Sequence, residues 1–133
     1  METQKKNLKV LLAEDYDSTR MIYGMHLKRY LSEAGFQVEM DIAEDGKEAL
    51  DFTRSNKYGL IVSDYDMPRL TGAQMYLQLK PEHQSRTVLM SSTPAQLKHD
   101  LRAGGVENLP LIHDKQQALE NLDQKIAQCL QIN

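Results

Sequence analysis

Short apolar runs alternate along the chain with segments whose apolar residues recur at helical spacing. Val10-Leu11-Leu12-Ala13, Leu60-Ile61-Val62 and Val88-Leu89-Met90 are apolar at every position, the pattern of parallel strands covered on both faces. Phe36, Val38, Met40 and Ile42 instead alternate with Gln37, Glu39 and Asp41, which predicts a strand with one wetter face. A fifth strand is predicted over Asn108 to Ile112. It contains Pro110, which cannot donate to a ladder, so that strand belongs at an edge.

The intervening segments carry helix start and stop signals. Asp17 or Ser18 is the expected cap of a first helix with Tyr23, Leu27, Tyr30, Leu31 and Ala34 at helical spacing, stopped by Gly35. Asp45-Gly46-Lys47-Glu48 resembles a capping box, with Asp in place of Ser or Thr, opening a second helix through Ala49, Leu50 and Thr53. A third follows Thr71 and runs to Lys80 before Pro81. A fourth starts at Thr93-Pro94 and ends at Gly104-Gly105. Asp114 precedes a fifth, with Leu119, Leu122, Ile126 and Leu130 on one face. Five strand–helix units predict an α/β fold with a doubly wound, five-stranded parallel sheet. The second and fifth strands look like edges, which gives the order 2-1-3-4-5.

Composition narrows the class. A chain of 133 residues suffices for one domain, expected over 8–133 behind a short flexible leader, Met1 to Asn7. Sixteen basic against nineteen acidic residues, net charge −3, argue against a nucleic-acid partner, whose phosphates demand positive excess. One cysteine, Cys129, excludes an intramolecular disulfide and a cysteine-based zinc site. No apolar run approaches the ~18 residues of a membrane span, and the polar start lacks a signal-peptide core. The expectation is a cytoplasmic protein with no membrane partner.

In a sheet of this order, ligands bind outside the carboxyl ends of the strands, at the switch point between the first and third. Glu14 and Asp15 follow the first strand, Asp64 and Asp66 the third, and Ser92 with Thr93 the fourth. Each group alone reads as turn or cap residues. Together they place several carboxylates in one small region, where like charges raise one another's pKa and oppose folding. A hard divalent ion such as Mg²⁺ relieves that repulsion. A metal beside a nucleophilic carboxylate, with a hydroxyl near, is a phosphoryl-transfer constellation.

Leu11 to Asp15, Ala43-Glu44-Asp45-Gly46 with Ala49-Leu50, and above all Ile61 to Gly72, with its Asp-x-x-Met-Pro-x-x-x-Gly stretch, resemble the receiver domain of bacterial response regulators. The resemblance covers Lys9 to Leu130 and implies the flavodoxin-like fold of CheY-type receivers. It implies that Asp64 is the phosphoacceptor, taking a phosphoryl group from a histidine kinase or histidine phosphotransfer protein. It further implies that Asp15 and Asp64 bind Mg²⁺, that Glu14 acts close by through water, that the backbone carbonyl of Asp66 joins the metal shell, and that Ser92 contacts a phosphoryl oxygen.

Three departures from the family pattern stand out. The lysine usual at the end of the fifth strand is missing: without gaps Leu111 takes its place, leaving Lys115 from a shifted loop, or His113 as a weaker donor, as substitutes. Asn108 and Leu109 occupy the region of the usual strand-five aromatic. Asp66 adds a carboxylate where the phosphoryl lifetime is tuned.

The leading expectation is a stand-alone receiver, not an enzyme beyond slow autodephosphorylation. Its output would be to an unknown downstream protein through helix four, strand five and helix five, by family analogy. The alternative is a pseudo-receiver, an interaction module of the same fold that is not phosphorylated in normal use. A small Mg²⁺-dependent phosphatase is the remote third, since Asp64-Tyr65-Asp66 matches an Asp-x-Asp motif. That motif usually follows the first strand, whereas here it follows the third. His26, His83 and His99 have no partner spacing and are expected to be solvated. Cys129 and most of the seven methionines read as packing residues.

Overall fold

The computed structural model describes residues 4–132. The first half of the chain forms β1 (Lys6–Ala13), α1 (Asp17–Glu33), β2 (Phe36–Ala43), α2 (Gly46–Ser55) and β3 (Leu60–Asp64). The second half forms α3 (Gly72–Gln78), α4 (Pro81–Gln84), β4 (Thr87–Ser91), α5 (Pro94–Ala103), β5 (Leu111–Asp114) and α6 (Leu119–Leu130). All strand pairings are parallel, and the order is β2-β1-β3-β4-β5, as the patterning predicts. Among the described residues, no helix is long and apolar enough to cross a membrane.

The continuous apolar runs are explained by the two layers they serve. Successive strand residues point to opposite faces. Leu11, Ala13, Ile61 and Leu89 therefore pack against Ala49, Leu50, Met75, Leu97 and Leu101 from α2, α3 and α5. Val10, Leu12, Val62, Val88 and Met90 pack against Leu27, Leu31, Leu122 and Ile126 from α1 and α6. Every residue of β3 and β4 is buried, whereas the edge strand β2 leaves Ile42 40% exposed.

Several expected boundaries shift, each for a local reason. Lys6 and Asn7 pair with Phe36 and Gln37 in β1, so the expected leader is shorter than Met1 to Asn7; its residues 1–3 lie outside the described residues. Helix α3 ends at Gln78. Lys80 is extended ahead of Pro81, and the proline opens the extra single turn α4, because a residue before proline avoids the helical region while proline suits a first helical position. Strand β5 runs over Leu111–Asp114, later than the predicted Asn108 to Ile112, with Pro110 just outside the ladder. Helix α6 begins at Leu119 rather than directly after Asp114. The Asp114 carboxylate instead accepts the Gln116 N–H at 2.9 Å, and its carbonyl accepts the Gln117 N–H at 2.9 Å. Asp114 thus closes a turn that precedes the helix.

Capping follows the sequence in part. Asp45 accepts the Glu48 N–H at 2.8 Å, and Thr71 forms a full capping box with Gln74. Helix α1 begins with Asp17 itself, and neither Asp17 nor Ser18 caps it; Asp17 pairs with Arg20 instead. Thr93 precedes α5 without capping it, and its own N–H donates to Ser91 Oγ at 2.8 Å.

Two histidines expected in solvent are structural. His83 is 4% exposed, and its Nε2 accepts the Tyr58 N–H at 3.1 Å. His26 Nε2 lies 2.7 Å from Asp123 Oδ1, tying α1 to α6. Met21 and Met25, in turn, are exposed rather than packed.

Gly24 is buried in the middle of α1, and a methyl group there would meet only Leu12 Cδ2 at an ordinary 3.8 Å. Glycine inside a helix costs about 1 kcal/mol relative to alanine. Gly24→Ala is therefore expected to raise stability by about 0.5–1 kcal/mol, read as a higher denaturation midpoint at unchanged m-value.

Candidate functional site

The carboxyl ends of β1 and β3 are adjacent, and the loops that leave them are held rigidly. The Glu14 N–H donates to the Ala43 carbonyl at 3.1 Å, extending the β1–β2 pairing by one residue. From one turn into α1, Arg20 reaches back. Its Nη1 donates to the carbonyls of Glu14 at 3.0 Å and Asp15 at 3.4 Å, while its Nη2 pairs with Asp17 and lies 3.4 Å from Glu44 Oε1. After β3, the Tyr65 N–H donates to the Met90 carbonyl at 2.8 Å, and the Gly72 N–H closes the loop on the Tyr65 carbonyl at 2.8 Å. A Cβ on Gly72 would stand 2.4 Å from the Asp64 carbonyl oxygen, so the backbone crossing there requires glycine.

These loops bring together three of the residues the sequence singles out. Carboxylate oxygens of Glu14, Asp15 and Asp64 all lie within 4.8 Å of one another. Glu14 is 1% exposed and Asp64 5%, while Asp15 faces solvent. The Asp66 carboxylate is exposed and outside this cluster. Ser92 is exposed two residues beyond Met90, which pairs with Asp64 in the sheet.

The structure also supplies the cation that ungapped reading leaves out. Lys115 Nζ lies 3.3 Å from Asp64 Oδ1 and 3.5 Å from Glu14 Oε1. It is available because α6 starts four residues after it, and its N–H donates to the Ser91 carbonyl at 2.9 Å, which carries the turn onto the end of β4. A lysine therefore does follow the fifth strand; Leu111 lies within β5, at its first residue. His113 does not join the cluster. It is 1% exposed within β5, with its Nδ1 unpartnered among the described residues and its imidazole held below the usual histidine range by burial.

The electrostatics follow from crowding in a dry place. Burial, then the Asp64 charge, pushes the Glu14 carboxyl up to about 7, and Lys115 only partly opposes this. Burial likewise raises Asp64, against the pull of Lys115. Burial depresses the Lys115 ammonium, but Asp64 and Glu14 outweigh it and hold the group above the ordinary lysine range. Among the described residues, Glu14 Oε2 is buried without a hydrogen-bond partner. Three hard oxygen donors, one of them unsatisfied, fit a hard divalent cation.

Arg20 and Tyr23 belong to this site and escape sequence reading, since each stands alone on a helix with no motif around it. Tyr65 is a third: its hydroxyl bonds Asp100 on α5, and Asp100 also accepts from Gln96 at 2.9 Å. No spacing rule connects residue 65 to residue 100.

The profile of the family described as "Response regulator receiver domain" matches residues 10–127. The two-component response regulator ORR42 of Oryza sativa subsp. japonica is 32% identical over 80 residues, 59% of this chain and 56% of that one. The sensor protein EvgS of Escherichia coli (strain K12) is 31% identical over 83 residues, 62% of this chain and 6% of that protein. The chain thus spans about half the length of the first relative and a small part of the second. Among solved structures, the chemotaxis response regulator CheY4 of Vibrio cholerae superposes with TM-score 0.68 at 24% identity, covering 96% of this chain and 100% of that one. A DNA-binding response regulator of the LuxR family from Staphylococcus aureus gives TM-score 0.73 at 14% identity, covering 92% and 98%. At these identities the structural likeness shows the shared fold.

The raised Glu14 carboxyl has a consequence for stability. Between its ordinary value of 4.5 and about 7, the folded chain holds a proton that the unfolded chain releases. Stability from this group is therefore full below pH 4.5 and lost as pH rises through about 7. Buried His83 and His113, both lowered by burial, act in the opposite sense, so the comparison must be between variants. In chelator, Glu14→Gln is expected to match wild type in Tm near pH 4.5 and exceed it at pH 8, measured by calorimetry.

Proposed function

Because the chain belongs to the response regulator receiver family, a family of signalling modules, we propose that Asp64 accepts a phosphoryl group from the phosphohistidine of a histidine kinase or phosphotransfer protein. The observation that carries this reading is the buried Asp64 carboxylate with Lys115 Nζ at 3.3 Å and the Glu14 and Asp15 carboxylates beside it. In the proposed step an Asp64 oxygen forms a P–O bond as the P–N bond to the donor imidazole breaks. The departing nitrogen keeps the electron pair and takes its proton from solvent. Positioning and charge neutralisation supply most of such catalysis.

Asp15 and Asp64 would hold Mg²⁺, with Glu14 close by and the Asp66 carbonyl completing the protein ligands; the ion would supply positive charge to the transferring oxygens. Lys115 would neutralise the product, whose phosphoryl group adds nearly two negative charges. The Ser92 hydroxyl would contact a phosphoryl oxygen from the end of β4. The exposed apolar residues Tyr16, Met21, Ile22 and Met25 around the start of α1 would offer the donor a docking surface. The phosphorylated state would act through contacts with a downstream protein.

The pseudo-receiver alternative draws on a missing lysine and a missing strand-five aromatic; the position of Lys115 speaks against the first ground, while Asn108 and Leu109 still occupy the region of the second. The family match over residues 10–127 speaks against the phosphatase reading.

The test is intact mass after incubation with a small-molecule phosphodonor and Mg²⁺. Wild type is expected to gain one phosphoryl group and Asp64→Asn none. Lys115→Met removes a charge-assisted contact worth about 1.5–3 kcal/mol and is expected to slow the gain about 10- to 100-fold. No gain in wild type at saturating Mg²⁺ would overturn the proposal.

A further inference from the structure

Lys115 is the first residue beyond β5, in the turn that precedes α6, and Gln116 follows it. A lysine side chain loses much rotamer entropy when held in one place, so an ammonium delivered from such a turn needs a further restraint to remain over Asp64. The two carboxylates, Glu14 at 3.5 Å and Asp64 at 3.3 Å, restrain it while they are charged and free. Asp64 is itself the group that changes in the proposed reaction, and Glu14 lies beside the proposed metal position, so neither serves as a constant anchor.

The constant feature lies on α1. Tyr23 is 7% exposed, packed in the layer with Leu27, Val62 and Met90, and its ring centroid lies 5.6 Å from Lys115 Nζ. That is within the range of a cation–π attraction, worth about 0.5–2 kcal/mol depending on solvation. An aromatic face attracts the ammonium without adding formal charge to an already acidic site. A carboxylate in its place would deepen the repulsion described above.

We propose that Tyr23 is a positioning residue for Lys115, its ring holding the ammonium over Asp64 through the reaction. This rests on the phosphoacceptor reading for its functional consequence, though the contact itself does not. Tyr23 acts through Lys115 and touches no reacting atom.

The experiment compares Tyr23→Phe, Tyr23→Leu and Tyr23→Met, each alone and with Lys115→Met, by two readouts. The first is phosphorylation by a small-molecule phosphodonor with Mg²⁺, resolved into kcat and KM. Tyr23→Leu is expected to lower kcat about two- to thirtyfold, the range that 0.5–2 kcal/mol implies, with KM for the donor unchanged. Tyr23→Phe retains the wild-type rate, and Tyr23→Met, which fills the space without a π face, behaves like Leu. In the Lys115→Met background all three substitutions are silent, as a double-mutant cycle requires when one residue acts through the other. The second readout is NMR of isotope-labelled lysine, with the Lys115 side-chain signal assigned by its loss in Lys115→Met. Its ring-current shift is expected in wild type and Tyr23→Phe and absent in Tyr23→Leu and Tyr23→Met.

Equal loss of kcat in both lysine backgrounds, or a Lys115 signal at the free-lysine position in wild type, would overturn the proposal. A shifted Lys115 signal in a wild type that takes no phosphoryl group would instead overturn the phosphoacceptor reading and leave the contact standing.

Discussion

Three carboxylates sharing one corner of a protein repel one another, and burial of two of them sharpens the repulsion. That tension organises this molecule. Glu14 and Asp64 are placed at the ends of neighbouring inner strands by the sheet order itself, so the fold cannot avoid gathering them. The surrounding devices hold the gathering in place or offset its charge. Arg20 fixes the backbone of Glu14 and Asp15 by their carbonyls, leaving both carboxylates free for other partners. Lys115 brings one positive charge into the cluster. Glu14, raised to about 7 even with Lys115 beside it, is a second outlet, since it can carry a proton.

How far this was legible in the sequence depended on whether the signal was local. The unbroken apolar run at Leu60 to Val62 predicts a buried strand because both faces of β3 are covered, and the alternation in β2 marks an edge for the same reason. Glu14, Asp15 and Asp64 were readable because strand ends in a doubly wound sheet converge by topology. Lys115 was harder. Its placement turns on whether Asp114 caps a helix or closes a turn, and an aspartate suits both. The structure chooses the turn, so α6 starts late and the lysine is left unwound near the site. Arg20, Tyr23 and the Tyr65–Asp100 bond are tertiary contacts between residues with no periodic or motif relation. The partners of His83 and His26 are likewise fixed by packing rather than spacing, so no local pattern reveals them.

The helices divide the labour around the sheet. Helix α1 carries Arg20 and Tyr23 toward the carboxylates while leaving Met21, Ile22 and Met25 outside. Its apolar residues therefore lie on two faces, one packed against the strands and one exposed. On the other layer, α5 receives the Tyr65 hydroxyl through Asp100. The residue next to the proposed phosphoacceptor is thereby bonded to a helix whose Lys98, His99 and Arg102 are exposed.

The two glycines that frame the loop after Asp64 have a further consequence. A Cβ on Gly72 would stand 2.4 Å from the Asp64 carbonyl oxygen, and one on Gly46 2.2 Å from that of Leu70. The loop is thus held by backbone against backbone, while Asp66 and Arg69 between those contacts are exposed. Its shape and its side chains are separable under mutation. Drift at residue 66 can retune the charge around the site without touching the frame, whereas drift at either glycine must rebuild it, and Arg69, at φ 69° and paired with Asp45, lies between the two cases.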